Sequence, residues 1–343
     1  MDLWSTNTLN RVIADLKGMT QFLLDRYFPT VQVEQAEEIH FDIVDGTRRI
    51  APFVSFLQEG QIVASPGYRT GTFKPAYVKD KRVFDMQRPF KRSAGENIGG
   101  SMSPMDRLRA LMARDMEDQK NMLNRRLEVM AGEILATGKV TIVGEKYPQA
   151  IVDFGRAAGN TVANSGGTLW TAAGTSHPLN DLQTWSQVAL QSTGIFLNDV
   201  IMPVAVWTVF RDHADVKDRL NLYRGIGAPP SLTLDAQSQG EGGSYVGNID
   251  GFNIFVYSSW YIDPADSVEK QIIPTDSVIM VSAQLEGVRA FGAIRDEEAG
   301  LQATPFYVKS WTEPDPSVRF VMLQSAPLVV PYRPNASFKA KVI

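Results

Sequence analysis

The sequence predicts a mixed α+β fold, and two features of the chain carry this prediction. One long amphipathic pattern runs from Ser103 to Thr137 and is typical of a helix. On both sides of it, short strand-like runs bounded by glycine and proline alternate with shorter helical stretches, which is typical of α+β proteins. With 343 residues, 44% of them hydrophobic, the chain is long enough for two or three domains and a sizeable core.

The long helix has a clear start and end. Ser103 precedes Pro104 at the first helical position, and Asp106 follows three residues after the serine, a pattern that satisfies free amide groups of the first turn. Apolar residues recur at spacings of three, four and seven up to Ile134, and Gly138 suits the C-terminal cap. These positions do not keep a strict seven-residue repeat. We therefore expect a helix about 50 Å long that lies across a sheet or a subunit, rather than a coiled coil.

The N-terminal segment from Leu3 to Phe28 has apolar residues mostly at helical spacing and predicts one or two short amphipathic helices. Gly18 separates them, and Pro29 ends the segment. Two interpretations stay open: a helical hairpin packed on the chain's own core, or an arm that docks on a neighbouring subunit. The apolar residues that would make either contact are Leu9, Val12, Ile13, Leu16, Phe22 and Leu23.

The charges of the chain nearly cancel overall but are segregated along it. Lys and Arg total 34 against 38 Asp and Glu, a net charge of -4, which argues against a protein that binds nucleic acid through its global charge. Residues 34–45 are acidic, whereas residues 69–92 hold roughly eight basic residues against two acidic ones. Complementary segments on one chain predict that copies of the chain meet each other heterologously.

A long two-stranded loop is predicted between residues 50 and 90, where short β-prone runs alternate with glycine and proline. Such a loop cannot bury both of its faces within its own domain. It is therefore either a mobile surface loop or a loop that another chain covers.

The remainder of the chain predicts short alternating elements. A hairpin is expected over residues 139–156, followed by a helix that opens at Asn180 and is capped near Gly194. Residues 199–207 predict a buried strand, and residues 208–222 a short helix. An exposed loop rich in glycine, proline and serine is expected over 225–244, and strands dominate from there to the C-terminus.

Residues that carry chemistry are scarce. The chain has no cysteine and three histidines, none at a metal-ligand spacing from another, and no nucleotide-binding or hydrolase motif occurs. The acidic run Asp296, Glu297 and Glu298 reads as an exposed turn, although a carboxylate-dependent hydrolase using Asp296 and Glu297 is the enzyme alternative. No apolar run is long enough to span a membrane. We expect no catalytic site, no metal and no cofactor.

Several short motifs, in order along nearly the whole chain, resemble the lambda-type phage major capsid proteins, the capsid protein E family. None of the motifs is catalytic, and the resemblance depends on their number and order. They are YVKDK at Tyr77–Lys81, VGE followed by VDFGR at Val152–Arg156, NSGGTLW at Asn164–Trp170, VYS-x-x-Y at Val256–Tyr261, VRAFGAIRD at Val288–Asp296 and MLQSAPLVV at Met322–Val330.

The resemblance implies the Hong Kong 97-like capsid fold, in which an arm and an extended loop reach out from a peripheral domain that a spine helix crosses. An axial domain points to the capsomer centre. The implied division is an N-terminal arm at 1–36, an extended loop region at 37–95, a peripheral domain at 96–178 with its spine helix at 103–137, an axial domain at 179–287, and a return to the peripheral domain at 288–343.

The resemblance also implies partners. Hexamers and pentamers of the chain would form an icosahedral shell that contacts packaged double-stranded DNA non-specifically, in a virion assembled in the cytoplasm of a host bacterium. Because the chain enters its arm helix almost at once, a separate scaffold protein is expected, together with a portal and, in lambda-type capsids, a decoration protein. An encapsulin-like nanocompartment that shares the fold is the alternative.

The expected contact between subunits joins the extended loop to acidic surface on the next copy, where each exposed charge pair contributes little. A loop lysine crosslinked to an asparagine of the next subunit, as in some relatives, is a minor alternative for Lys74, Lys79 or Lys81. The loop residues assigned to this interface are Arg69, Phe73, Lys74, Tyr77, Lys79, Lys81 and Arg82, and the acidic residues assigned to it are Glu37, Glu38, Asp296 and Glu297.

Overall fold

A long helix and a seven-stranded sheet organise the chain. The computed structural model describes residues 4–16, 19–36, 38–44, 50–51, 53–54, 59, 67–85, 103–144, 147–172, 174–225, 237–238, 242–300, 303–315 and 318–343. The helices are α1 (Thr6–Asp15), α2 (Phe22–Tyr27), α3 (Pro104–Thr137), α4 (Pro178–Thr193), α5 (Val204–Asp212) and α6 (Ala214–Gly225). The strands are β1 (Thr30–Val33), β2 (Ile39–Val44), β3 (Tyr68–Phe73), β4 (Val78–Asp85), β5 (Lys139–Gly144), β6 (Tyr147–Asp153), β7 (Thr161–Ala163), β8 (Asp199–Met202), β9 (Gln237–Ser238), β10 (Gly243–Ile249), β11 (Phe252–Tyr257), β12 (Trp260–Ile262), β13 (Glu269–Gln271), β14 (Ser277–Val281), β15 (Gly287–Phe291), β16 (Tyr307–Glu313), β17 (Val318–Ser325), β18 (Pro327–Pro331) and β19 (Ser337–Lys341).

The long helix α3 confirms the sequence prediction at both ends. The Ser103 hydroxyl accepts a hydrogen bond from the amide of Asp106 at 3.2 Å, and Gly138 ends the helix in the left-handed conformation with φ of 73°. Gly132 in its interior lets another segment approach closely, because a Cβ there would lie 2.4 Å from Cγ2 of Ile272. The helix therefore packs against other parts of the chain, as its interrupted repeat predicts.

A distant arginine caps the C-terminal end of α3, whose last turn holds no basic residue. The guanidinium of Arg156 donates to the carbonyl oxygens of Leu135 and Ala136, each at 2.8 Å, and to the hydroxyl of Thr161 at 2.8 Å. Burial lowers the pKa of Arg156 to about 10. A cation at this end also interacts favourably with the helix dipole. The VDFGR motif thus has a structural role.

The central sheet has the strand order β7-β19-β14-β8-β11-β10-β9. Strands β8 and β11 run parallel, with Val200 opposite Ile254, whereas β14 is antiparallel to both β8 and β19. Every residue of β8 and β14 is buried, so these two strands form the middle of the larger hydrophobic core. The C-terminal strand β19 completes this sheet by inserting between β14 and β7.

Smaller sheets surround the helix and the central sheet. Two have three strands, in the orders β1-β15-β18 and β16-β17-β4. Three are hairpins: β2 with β3, β5 with β6, and β12 with β13. A smaller core lies between α1, α3 and the β16-β17-β4 sheet, and it contains Leu9, Ile13, Phe84, Leu108, Met112, Met116, Leu123, Val308, Val321 and Leu323. The mixed α+β prediction is confirmed.

The two described strands within residues 50–90 do not pair with each other, contrary to the sequence prediction. Strand β3 pairs with β2, placing Phe73 opposite Ile39, and β4 pairs with β17, placing Val78 opposite Ser325. Between them lies Pro75, which cannot donate a ladder hydrogen bond. Strand partners are set by contacts far along the chain, which local alternation does not encode.

Three other predicted elements differ in their bounds. Helix α4 begins at Pro178, because proline suits the first helical position, and not at Asn180. The buried strand β8 ends at Met202, and α5 begins at Val204 after the N-cap residue Pro203. The helix predicted over 208–222 is instead split into α5 and α6 by His213, whose ψ of 141° is extended. Gly18 and most of 225–244 lie outside the described residues.

Candidate assembly surfaces

The first helix of the N-terminal segment packs on the chain's own smaller core. Leu9 and Ile13 are fully buried there, and Val12 and Leu16 pack against it. The ammonium group of Lys120 on α3 donates to the carbonyl oxygen of Ile13 at 3.0 Å and to that of Leu16. A cation from α3 therefore satisfies the C-terminal end of α1, where the helix dipole favours positive charge.

The second helix, α2, is anchored to α3 by a buried carboxylate. Glu128 is fully buried, and its two oxygens accept hydrogen bonds from the amides of Leu23 at 2.8 Å and Leu24 at 2.9 Å. The hydroxyl of Tyr257 donates to the same carboxylate at 2.9 Å. These amides belong to the first turn of α2, where no intrahelical acceptor exists. Glu128 thus fixes α2 between the long helix and β11.

A second buried carboxylate ties α2 to the central sheet. Asp199 on β8 accepts hydrogen bonds from the guanidinium of Arg26 at 2.7 Å, from the hydroxyl of Tyr27 at 3.1 Å and from the amide of Asn253 at 2.9 Å. Phe22 and Leu23 are buried in the larger core beside this network. In this structure, all six apolar residues assigned to the arm pack within their own chain.

The pKa of Glu128 predicts a pH dependence of stability. Burial raises this pKa to about 7, against the opposing effect of the hydrogen bonds from Leu23, Leu24 and Tyr257, while the negative charge of Asp25 raises it further. Because the folded pKa lies above the unfolded one, the folded chain binds the proton more tightly. The stabilisation that proton binding at Glu128 contributes to the folded chain is full below about pH 4.5 and is lost as the pH rises through about 7.

We expect the substitution Glu128→Gln to remove this dependence. The free energy of unfolding of the native chain, relative to that of the variant, should fall by about 2 kcal/mol between pH 5 and pH 8. Urea denaturation of unassembled protein at the two pH values measures it. The control Glu117→Gln changes an exposed carboxylate on the same helix and should show no such shift. If both substitutions changed the pH dependence of the free energy of unfolding equally, the assignment of this dependence to Glu128 would be contradicted.

The residues at the start of the predicted basic loop lie against their own chain. The guanidinium of Arg69 lies against Gly155. The hydrogen bond from Lys139, helped by the charge of Arg69, holds the pKa of Asp153 below its ordinary value. Phe73 packs against the larger core, and Lys74 is exposed. The base of the loop is therefore fixed on the subunit from which it starts.

Tyr77 links the same region to the acidic turn. Its hydroxyl donates to the carbonyl oxygen of Ala293 at 2.7 Å and accepts from the amide of Arg295 at 3.2 Å. The structure thus brings Tyr77 close to the turn that holds Asp296 and Glu297 within one subunit.

The cations of β4 also have partners within the chain. The ammonium of Lys79 lies 5.3 Å from the centroid of the Tyr77 ring, and that of Lys81 lies 3.9 Å from the centroid of the Phe320 ring. Arg82 pairs with Asp80 at 3.1 Å and with Asp118 at 2.7 Å. Arg82 is therefore paired with carboxylates inside the subunit, and Lys79 and Lys81 contact aromatic rings of their own chain.

The acidic candidates differ in their surroundings. Asp296 pairs with Lys309 and accepts from the amide of Gln324 at 3.2 Å. Burial opposes ionisation of Asp296, but these hydrogen bonds hold its pKa below the ordinary value. Glu297 and Glu38 are exposed, and Glu37 lies outside the described residues. Asp296 is thus an ionised partner of Lys309, and Glu297 and Glu38 remain available to another chain.

Among the described residues, the two most exposed large apolar side chains, those of Phe53 and Ile50, lie between β2 and β3. Phe53 is 102% exposed, Ile50 88% and Val54 43%, and the nearby Tyr68 on β3 is 67% exposed. Sequence reasoning assigned this loop to an interface through its charges and through apolar residues such as Phe73 and Tyr77, and it did not name Ile50, Phe53 or Val54 as interface residues. The absence of any charge from Ile50 to Val54 is the signal that could have found this apolar segment.

Other classes of site find no support in the described part of the chain. No group of three or more His, Asp or Glu side chains there is placed to hold a metal ion. Among the described helices, none is both long and apolar enough to cross a bilayer.

Comparisons with known proteins agree with the fold. The model of the family described as phage major capsid protein E matches residues 5–342. The chain is 30% identical to the major capsid protein of Escherichia phage lambda over 300 residues, which cover 86% of each chain. It is 29% identical to the major capsid protein of Escherichia phage N15 over the full length of both chains.

The crystal structure of a prophage capsid protein from E. coli CFT073 superposes on this chain with a TM-score of 0.76 and 24% sequence identity, covering 98% of this chain and 99% of the other. This similarity confirms the Hong Kong 97-like capsid fold. The relatives are structural proteins and not enzymes. The chain belongs to the phage major capsid protein E family.

Proposed function

We propose that copies of this chain form the hexamers and pentamers of an icosahedral head that encloses double-stranded DNA, as the major capsid protein of a tailed phage. The observation that carries this proposal is the match of the family model to residues 5–342, nearly the whole chain. The exposed apolar segment between β2 and β3 supports it, because large apolar side chains exposed together are typical of a surface that another chain covers.

The division of the subunit follows from the same proposal. Residues 1–36 form the arm, 37–95 the extended loop region and 96–178 the peripheral domain with the spine helix. Residues 179–287 form the axial domain, and 288–343 return to the peripheral domain. The bounds of α3 support the spine helix, and the pairing of β19 with β14 shows that the last strand also completes the central sheet.

The extended loop lies over a neighbouring subunit in this proposal, and its apolar residues contribute most of the contact. Burying a side chain the size of Phe53 or Ile50 is worth about 1.5 to 3 kcal/mol, whereas an exposed charge pair contributes roughly 0.2 to 1 kcal/mol. Because Arg82 is already paired within its own subunit, the loop cannot depend on its charges alone.

We expect the double substitution Ile50→Ser and Phe53→Ser to prevent or strongly reduce shell formation without unfolding the subunit. Both side chains are exposed, so their removal costs the isolated chain little. Sedimentation velocity measures the fraction of protein in shells, and circular dichroism checks the fold. The control Ile151→Ser removes an apolar side chain that is 59% exposed on β6. Normal shells from the double variant would contradict the proposal.

The partners of the shell are proposed from the family alone. They are a separate scaffold protein, a portal and a decoration protein, with assembly in the cytoplasm of the host bacterium and a final place in the virion. Contact with DNA should be non-specific, since a net charge of -4 does not favour binding through the charge of the whole chain and the sequence holds no base-reading motif. A footprint with sequence preference would contradict this part of the proposal.

A further inference from the structure

The exposed face of α4 carries no charged side chain. The single charged residue of this helix is Asp181, which is half-buried and accepts a hydrogen bond from the indole nitrogen of Trp170 at 2.9 Å. Each of the other five described helices exposes at least one charged side chain. The solvent-facing side of a helix normally carries charged residues, so the face of α4 differs from an ordinary solvated surface.

The uncharged surface continues beyond the helix. Between Leu182 and Phe210 the only charged residue is Asp199, which is buried. Three large apolar side chains are exposed in the same stretch: Val188 is 39% exposed, Phe196 47% and Val204 51%. Charged residues are depleted, and aromatic residues enriched, at the centre of interfaces between protein chains. This stretch therefore has the composition of a surface that another chain covers.

A stripe of glutamines runs along this side of α4. Gln183, Gln187 and Gln191 are spaced by four residues, so they lie on one side of the helix, and all three are exposed. This glutamine face is about 12 Å long along the helix axis. A primary amide both donates and accepts hydrogen bonds, so a glutamine can pair with the same residue of an identical chain. A carboxylate or an ammonium group cannot, because two like charges repel each other.

The absence of charge also limits what can cover this surface. Residues 178–210 contain no Lys or Arg, so they offer no cation to the phosphates of a nucleic acid. They offer no exposed charge to a strongly charged protein either. In a ring of identical copies, each subunit repeats the same contact with both neighbours, so a charge at that contact meets its own copies. An uncharged face that is complementary to itself suits such a ring.

We propose that the glutamine face of α4 contacts the α4 helices of neighbouring copies in the same ring. The inference rests on the proposed function, in which copies form hexamers and pentamers, and it adds a surface that meets in both. A glutamine side chain has several rotatable bonds, so its hydrogen bonds can follow the different angles between neighbours in rings of five and of six. One surface therefore serves both kinds of ring.

Charges placed on the glutamine face test this contact, because repulsion between identical copies does not depend on the sign of the charge. One variant combines Gln187→Glu with Gln191→Glu, and the other combines Gln187→Lys with Gln191→Lys. Glutamine, glutamate and lysine have similar helix propensities, so α4 should stay folded, which circular dichroism checks. The control combines Gln149→Glu with Gln284→Glu, at two exposed glutamines outside α4.

Sedimentation velocity after assembly in vitro measures the yield of shells. We expect each charged variant alone to give about tenfold fewer shells than the native chain at low salt, since like charges meet at every contact. An equal mixture of the glutamate and lysine variants should recover most of this loss, because opposite charges then meet. The control should stay within about twofold of the native chain, as expected for isolated surface charges.

Normal yields from both charged variants would overturn the α4 contact and leave the proposed function intact. A loss in only one variant, or a loss in both that the mixture does not recover, would also overturn it, because the face would then meet something other than its own copies. An absence of shells from the native chain would instead overturn the proposed function.

Crosslinking replaces the charge test if a charged variant is unfolded. The chain has no cysteine, so Gln187→Cys introduces a single thiol on the glutamine face. In assembled shells, a short bismaleimide should join this thiol to that of a neighbouring copy and give about ten times more covalent dimer than with Gln284→Cys. Equal yields of dimer from the two variants would overturn the contact.

Discussion

Replacing Gly287 by alanine is expected to destabilise the folded chain by about 3 kcal/mol, through overpacking. A Cβ at this position of β15 would lie 2.3 Å from the carbonyl oxygen of Tyr27 and 2.2 Å from Cδ1 of Phe28. One of these atoms belongs to the backbone at the end of α2, so a side-chain rotation cannot relieve the clash. Alanine would therefore push the N-terminal segment away from β15.

Urea denaturation of unassembled protein measures this effect. The matched control is Gly159→Ala, since a Cβ at Gly159 would have no heavy atom within 4 Å. The control should stay within about 0.5 kcal/mol of the native chain. Equal stabilities of the two variants would mean that α2 does not pack on β15 as the structure has it.

Replacing Asp199 by alanine is expected to cost about 3 kcal/mol, because it leaves three donors without their acceptor. These donors are the guanidinium of Arg26, the hydroxyl of Tyr27 and the amide of Asn253. Asp199 is 1% exposed, and Tyr27 is also buried, so water cannot replace the lost carboxylate at the tyrosine. The guanidinium of Arg26 is partly exposed and loses less.

The control Asp212→Ala removes a carboxylate that forms two exposed ion pairs. Its distances to Arg211 and Lys217 are 3.7 Å and 3.5 Å, and such pairs contribute at most about 1 kcal/mol. Thermal unfolding should place the melting temperature of Asp199→Ala several degrees below that of Asp212→Ala. Equal melting temperatures would show that the Asp199 network does not hold α2 on the central sheet.

The parts of the fold that local chemistry determines could be predicted from the sequence. The long helix begins after Ser103 and ends at Gly138 as predicted, because its capping residues and its apolar spacing act within a few residues of each other. Strand partners could not be predicted in this way. Whether β4 pairs with β3 or with β17 depends on residues more than 200 positions away, and the sequence pattern is the same in both cases.

For the candidate surfaces too, contacts between residues far apart in sequence could not be predicted. The extended loop could be located from its glycine, proline and charge pattern, but the internal partners of Lys81 and Arg82 were not visible in the sequence. Glu128 carried one signal that was not used, a charge next to Leu127 and Met130 on the apolar face of α3. Asp199 had none, because Arg26, its ion-pair partner, lies 173 residues away in sequence.

The fold, the family and the exposed apolar segment lead to one central claim, that the chain is a shell subunit. Negative-stain electron microscopy of the purified protein, expressed alone and with a candidate scaffold protein, tests this claim most directly. We expect closed shells in at least one condition, accompanied by free capsomers of five or six subunits. A protein that stays a monodisperse monomer in every condition, with or without scaffold, would contradict it.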